Sequence, residues 1–304
     1  MITIIRNLFD SKIFLFVILF LFMVPVSGKT QSDDLNAHPA VWLIEKDNSK
    51  TYFLGSVHLL TPDIKWYGGV VEQVFESADE IVFEVNMTPE KQKRAQQISQ
   101  ASALLPEGAT IDQYLTDDEM HDMNENALSL GIPPQAISRM QPWIISISLS
   151  ISAIKKEGWD SDSGVDKYIQ ELANAKNIKI SELETIETQM ASLTDHPIDI
   201  QAEMLKDTLE QLKDMRNLTM KMVGSWASGD MDQMETAFLE PMKEQKEVYK
   251  KLVIDRNKNW IPIIENLINK NQTTFIVAGA AHFIGEDGVI ELLRQSGYIL
   301  KKIQ

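Results

Sequence analysis

The sequence predicts a single α/β domain: a central mixed sheet drawing its strands from near both ends of the mature chain, with a large helical insertion between them. Three observations carry this. Strand signals gather at two ends, roughly residues 41–85 and 273–303, while the stretch between them reads as helix. No linker rich in Pro, Gly or Ser separates the two kinds of region. A sheet fed from both ends must have its helices inserted between its strands, which favours one domain over two.

The first strands are Val41-Trp42-Leu43-Ile44 and Thr51-Tyr52-Phe53-Leu54, joined through Lys46-Asp47-Asn48 as a hairpin of largely buried strands. A helix around Val70 to Ala78 leads into a third strand, Ile81-Val82-Phe83-Glu84-Val85. Further on, Thr116 followed by Glu119 forms a capping-box pattern, and Gly131 ends that helix. Pro142 to Gly158 alternates apolar residues with serines, yet Ile144, Ile147, Ile151 and Ile154 share one helical face. Its length without a turn signal decides for helix. Val165, Ile169, Leu172 and Ala173 mark another. Ile200 to Val223 reads as one long helix, and Asn259 to Asn269 as a shorter one with Pro262 in its first turn. Thr273 to Ala278 is a strand, Gly288 to Gln295 a helix, and Tyr298 to Ile303 the closing strand.

Residues 1–28 have the layout of an export signal. Arg6 and Lys12 precede an uncharged apolar run from Ile13 to Val26, and Val26-Ser27-Gly28 offers small residues before a cut at Lys29. The run is shorter than the roughly 20 apolar residues that span a bilayer core. Cleavage, and a periplasmic or secreted location, is therefore expected ahead of an uncleaved membrane anchor, with membrane contact only transient. Residues 29–39 are expected to be flexible, and 40–304 to form the domain. The whole chain has 29 basic and 44 acidic residues, net −15. Loss of Arg6, Lys12 and Asp10 leaves 27 and 43, net −16. Such a surface repels nucleic acid and anionic headgroups. With no cysteine, disulfides, thiolate metal sites and a lipid-modified N-terminal cysteine are excluded.

The chemistry is expected at two of the five histidines. Thr51-Tyr52-Phe53-Leu54-Gly55-Ser56-Val57-His58 and Thr274-Phe275-Ile276-Val277-Ala278-Gly279-Ala280-Ala281-His282 share one pattern: apolar strand, Gly, two small residues, His. A Gly there allows a sharp turn or a close approach as a strand ends. Strand-end loops are where open α/β sheets place ligands. Each motif alone reads more readily as a locally satisfied histidine; the repetition makes convergence on one metal ion an equal alternative. His38, His121 and His196 read as surface residues. Asp166 near a helix start reads as a capping or dipole residue. Arg256 reads as the partner of a surface acid. The methionines, among them Met204, Met215, Met220, Met222, Met231 and Met234, and Trp143, Trp226 and Trp260 read as core.

The two Gly-x-x-His segments, with Ile81-Val82-Phe83-Glu84-Val85, Gly164-Val165-Asp166, Leu183-Glu184-Thr185, Gln189, Arg256-Asn257 and Trp260, resemble the TraB/PrgY/GumN family, which includes the TIKI metalloproteases. The likeness runs from about Ala40 to Ile303. It implies a divalent-metal-dependent peptidase or related hydrolase, with peptide or small-molecule substrates. His58 and His282 match its metal ligands, and Glu84 a third ligand or general base. Arg256 matches an oxyanion-stabilising arginine, while Glu184 and Asp166 match acidic positions without an assigned role. Nitrogen and oxygen ligands suit Zn, Mn or Co alike. Two other readings stay open: an esterase-type hydrolase with a histidine base and no metal, and a non-catalytic peptide-binding protein. Neither Gly-x-Ser-x-Gly nor His-Glu-x-x-His occurs, and no nucleotide-binding loop or basic stripe is present.

Overall fold

The computed structural model describes residues 35–304 and has the expected α/β architecture. The export segment, residues 1–28, lies outside the described residues, as do residues 29–34. Among the described residues no helix is long and apolar enough to cross a membrane. The described residues form eight strands: β1 (Leu35–Asn36), β2 (Val41–Lys46), β3 (Ser49–Ser56), β4 (Ile64–Lys65), β5 (Glu80–Phe83), β6 (Lys179–Glu182), β7 (Thr273–Gly279) and β8 (Leu300–Lys302). Strands β1 and β4 pair as a small parallel ribbon. The other six form one sheet in the order β6-β5-β7-β3-β2-β8. The four strands β6, β5, β7 and β3 run parallel from one edge inward, and β2 is antiparallel to both β3 and β8.

Of the strands expected from sequence, β2, β3, β5 and β7 are buried on both faces, whereas β8 is largely exposed. Along β2, β3, β5 and β7, alternate residues go to opposite sides of the sheet. Val41, Leu54, Ile81, Phe83, Phe275 and Val277 join one core. Trp42, Ile44, Phe53, Val82, Ile276 and Ala278 join the other. The first is covered by α1 (Gly69–Ser77), through Val71, Val74 and Phe75, and by residues of the helical insertion such as Trp226. The second is covered by Trp260, Ile264, Leu267 and Ile268, with Val289, Ile290 and Leu293 of the helix Val289–Gln295. The insertion has a further core of its own, with Ile145 and Leu149 against Leu205 and Leu209. At about 25 cal/mol per Å² of apolar surface, such two-sided burial is what fixes the strand register.

Several boundaries differ from the expectation. The long helix over Ile200 to Val223 is two, Ile198–Leu212 and Met215–Ser228. The chain turns at Lys213-Asp214 while apolar spacing carries across the break. The helix expected at Asn259 begins at Asp255 and follows a π-helical turn, Lys250–Ile254, so Pro262 is interior rather than in the first turn. β6, with the polar sequence Lys179-Ile180-Ser181-Glu182, was not expected: as an edge strand it is only partly buried and has no apolar run. Residues 35–39 are not a free tail. β1 pairs with β4, and the His38 amide donates to the Ala227 carbonyl at 2.7 Å.

Candidate active site

The two Gly-x-x-His segments leave the sheet side by side, because β3 and β7 are parallel neighbours with Ser56 opposite Gly279. Gly55 eases that proximity. A Cβ there would lie 3.0 Å from the Ala280 Cα, closer than a real Cβ settles without displacement. The Gly55 carbonyl accepts from the Trp226 indole at 2.7 Å, which fixes the first segment from behind. In the second, the Gly279 amide donates to Glu84 Oε1 at 2.6 Å, tying the end of β7 to the residue that follows β5.

His282 stands on a short 3-10 turn, Ala280–Phe283, and is 1% exposed. Its tautomer follows from Asn257. The Asn257 amide nitrogen donates to the Asp287 carbonyl at 2.8 Å, so Oδ1 faces His282 Nδ1 at 2.6 Å and that nitrogen carries the proton. Nε2 is then the acceptor for Arg256 Nη1 at 3.0 Å. Burial, with Arg256 alongside, holds the imidazole pKa well below its usual value, so His282 is neutral. Its ring lies 4.4 Å from that of Trp260, over which the Arg256 guanidinium also sits, 5.0 Å from the ring centroid.

Arg256, the second residue of the helix Asp255–Ile268, is 3% exposed and is the hub of the buried cluster. Its Nε donates to Glu184 at 3.1 and 3.2 Å. Nη1 donates to the Leu252 carbonyl at 3.1 Å and to His282, and Nη2 to Glu184 and Glu84, both at 2.5 Å. A guanidinium has five N–H bonds, and all five are thereby committed. Burial alone would lower the pKa of Arg256, but the two carboxylates outweigh it and raise it further, so the charge is retained. Glu84 also accepts from Gln189 at 3.2 Å. Burial raises its pKa against the pull of Arg256. Glu184 is positioned by β6: the Leu183 and Glu184 amides donate to the Phe83 and Glu84 carbonyls at 2.9 and 3.0 Å.

His58 is the more accessible histidine, its side chain 24% exposed. Its Nδ1 lies 2.7 Å from Asp166 Oδ2, and the Ser56 hydroxyl donates to the other carboxylate oxygen at 2.8 Å. Burial lowers the His58 pKa, but the attraction and hydrogen bond of Asp166 outweigh it, and the net displacement is upward. Glu84 adds to that attraction and Arg256 opposes it, so His58 lies within electrostatic reach of the buried cluster. The contact with Asp166 depends on Gly164, where a Cβ would meet the His58 carbonyl oxygen at 2.4 Å. The adjacent Val165 amide donates to the Val57 carbonyl at 3.0 Å.

His58, Glu84 and Asp166 line a cleft of about 480 Å³. One wall is the helix Pro89–Ser102, another the start of the helix Val165–Ala175, and Gln189 and Met190 close the base. The volume is in the range of small-ligand sites.

The structure thus gathers His58, Glu84, Arg256 and His282 at the carboxyl ends of the parallel strands and adds residues whose roles were not legible. Asp166 does not cap its helix: Gly164 is the N-cap, no side chain caps it, and the carboxylate goes to His58. Glu184 and Asn257 hold Arg256 and His282. Arg256 pairs with buried acids, not with a surface one. His196 is a correction of another kind. It is 6% exposed, with Nε2 on the Ser192 carbonyl at 2.9 Å, because the turn before Pro197 is tucked between helices; burial lowers its pKa. Of the methionines expected in the core, Met204, Met215, Met222 and Met234 are buried, whereas Met220 is 54% exposed.

A divalent ion held by His58, His282 and Glu84 would compete with these contacts. Glu84 has Gly279, Gln189 and Arg256 on its two oxygens, and the Nε2 of His282 takes a guanidinium proton. Among the described residues no three His, Asp or Glu side chains are grouped to hold an ion. In this arrangement the trio does not fit a metal ion, and one would have to move Arg256 aside.

The TraB/PrgY/gumN family model matches residues 40–302, and the chain belongs to that family. Among its relatives are the YbaP proteins of Shigella flexneri and Escherichia coli K12, described as uncharacterized. Each is 22% identical over 257 residues, which covers 84% of this chain and 92% of theirs. An uncharacterized protein of Treponema pallidum is 21% identical over 268 residues, 84% of this chain and 80% of its own. No solved structure matches significantly.

Proposed function

We propose that this chain is a hydrolase of amide or ester bonds whose working base is His58. The observation that carries the reading is the Ser56–Asp166–His58 relay, whose Asp166 and His58 line an open cleft. A neutral His58 that donates Nδ1–H to Asp166 has its lone pair on Nε2. That nitrogen takes a proton from water as the oxygen attacks the substrate carbonyl, and Asp166 stabilises the imidazolium. The proton passes to the leaving nitrogen or oxygen as the acyl bond breaks, so one water is consumed and an acid plus an amine or alcohol is released. Arg256, with every N–H committed, is a positioning residue that keeps Glu84 and His282 in place. Purified protein incubated with a mixed peptide library and with simple esters tests this. Turnover that persists undiminished in His58→Ala would sink it.

A second reading is favoured by a specific observation: both His58 and His282 face an oxygen acceptor with Nδ1, as histidine ligands of metals do. In that reading His58, His282 and Glu84 would hold a divalent ion, Zn, Mn or Co, once Arg256 had moved aside, and the ion would supply a more acidic bound water. Activity lost to a chelator and restored by one of these ions supports it; indifference to the chelator supports the histidine base alone. Both readings carry an extracytoplasmic location, proposed from the N-terminal pattern of residues 1–28 and tested by cell fractionation.

A further inference from the structure

Charge in the cleft is distributed differently from charge on the rest of the chain. The protein is strongly acidic, net −15, yet the acids lining the cleft are Glu84 and Asp166, both already engaged, by Arg256 and His58. The other charged residues there are lysines. Pro89, Gln92, Lys93 and Gln96 fall at i, i+3, i+4 and i+7 and so form one stripe of the helix Pro89–Ser102. Facing it, the helix Val165–Ala175 contributes Lys167 and Gln170, again a lysine and a glutamine one turn apart. Lys167 is held by Asp162. Lys93 is exposed and has no ion-pair partner among the described residues.

Between the two helices the cleft is apolar, with Val85, Met87, Ala95 and Met190. Val85 and Met190 belong to a small core that Met87 and Ala95 cover, so this floor is preformed. The Gln170 amide nitrogen is used on Asn86 Oδ1 at 3.0 Å, which leaves its carbonyl oxygen as an acceptor for a substrate N–H.

From this layout we infer that the substrate is a peptide or acyl-amino acid presenting an apolar side chain to the Val85–Met190 floor and a carboxylate to Lys93. The inference rests on the hydrolase reading for what is cleaved, but not for what is bound. A carboxylate can come from the free C-terminus, giving trimming from that end, or from an acidic side chain, giving internal cleavage. A cationic rim in a chain of net negative charge selects such substrates and repels peptides whose nearby groups are all basic.

The test uses three N-terminally labelled peptides of one apolar sequence: free C-terminus, C-terminal amide, and C-terminal amide with one internal Asp. Equilibrium binding by fluorescence polarisation and turnover by mass spectrometry are both read, for the purified protein and for Lys93→Ala and Lys93→Glu. A partly exposed ion pair corresponds to about a two- to fivefold preference. The expected result is that preference for one carboxylate peptide over the amide, abolished in Lys93→Ala, reversed in Lys93→Glu, and weakened in 0.5 M salt. In turnover the change is expected in KM, with kcat held. Preference for the free terminus assigns end-trimming; preference for the Asp peptide assigns internal cleavage. Equal binding of all three peptides, or a preference unchanged in both variants, overturns the inference. Binding with the expected preference and no turnover would instead count against the hydrolase reading alone.

Discussion

The Asp166 carboxylate spans two residues of one Gly-x-x-His segment: Oδ2 lies 2.7 Å from His58 Nδ1, and Oδ1 accepts the Ser56 hydroxyl at 2.8 Å. Asp166→Asn preserves the shape but puts an amide where a carboxylate held the proton. If His58 is the base, kcat falls by about 10²–10⁴-fold. The pH profile gives the sign. His58 works when neutral, so activity falls as pH drops through its pKa, which Asp166 holds above the usual value. In Asp166→Asn the acidic limb of kcat/KM moves to lower pH. A limb that stays in place would show that His58 is not the group titrating.

Gly164 makes this contact sterically possible. Its backbone is in the extended region, φ −64° and ψ 146°, so the requirement is space and not a left-handed conformation. A Cβ there would meet the His58 carbonyl oxygen at 2.4 Å. Gly164→Ala is expected to cost about 1–3 kcal/mol and to lower activity by displacing Asp166 from His58. Gly224→Ala is the contrast. It lies in the helix Met215–Ser228 with open space around it, and gains up to about 1 kcal/mol. Denaturant midpoints of the two variants check both signs.

What could be seen in the sequence was whatever burial had written as an apolar run. β3 and β7 are covered on both faces, so they read as strands, and the histidines that follow them stood out by repetition. β6 was hidden because an edge strand, with its Lys, Ser and Glu, needs no apolar run, and Glu184 was unassignable without it. Asp166 looked like a cap because its position, the first turn of a helix, is where capping acids stand. Arg256 looked like a surface residue because nothing local reports that its acids, Glu84 and Glu184, arrive from strands far away in sequence. Local patterns gave the frame and the histidines; long-range pairing decided their neighbours.

Arg256 neutralises two carboxylates that are each about 5% exposed or less at the side chain. Arg256→Met leaves Glu84 and Glu184 facing each other without a cation, and removing one partner of a buried pair costs about 3–5 kcal/mol. Lysine supplies the charge but only three N–H bonds for five acceptor contacts, so Arg256→Lys recovers part of the loss. Adding Glu84→Gln and Glu184→Gln to Arg256→Met recovers more, because the uncompensated charge is gone. Urea denaturation of the four proteins orders them, and a triple variant no more stable than Arg256→Met would refute the electrostatic account.

His282 ties stability to pH. Its folded pKa is depressed by burial and by Arg256, so below the ordinary value near 6.5 the unfolded chain takes up a proton that the folded one refuses. Stability contributed by the neutral ring is therefore present above that value and is lost as pH falls below it, by at most about 1.4 kcal/mol per pH unit for one group. Buried His196 acts in the same sense. Glu84, raised by burial, acts in the opposite sense, since its folded form binds a proton first as pH falls. Replacing His282 with Gln, which keeps a polar side chain beside Asn257, isolates the histidine. The wild-type unfolding free energy should decline between pH 7 and 5.5 more steeply than that of His282→Gln. Parallel curves for the two proteins would mean that His282 titrates alike in the folded and unfolded states, contrary to the burial and tautomer assigned to it.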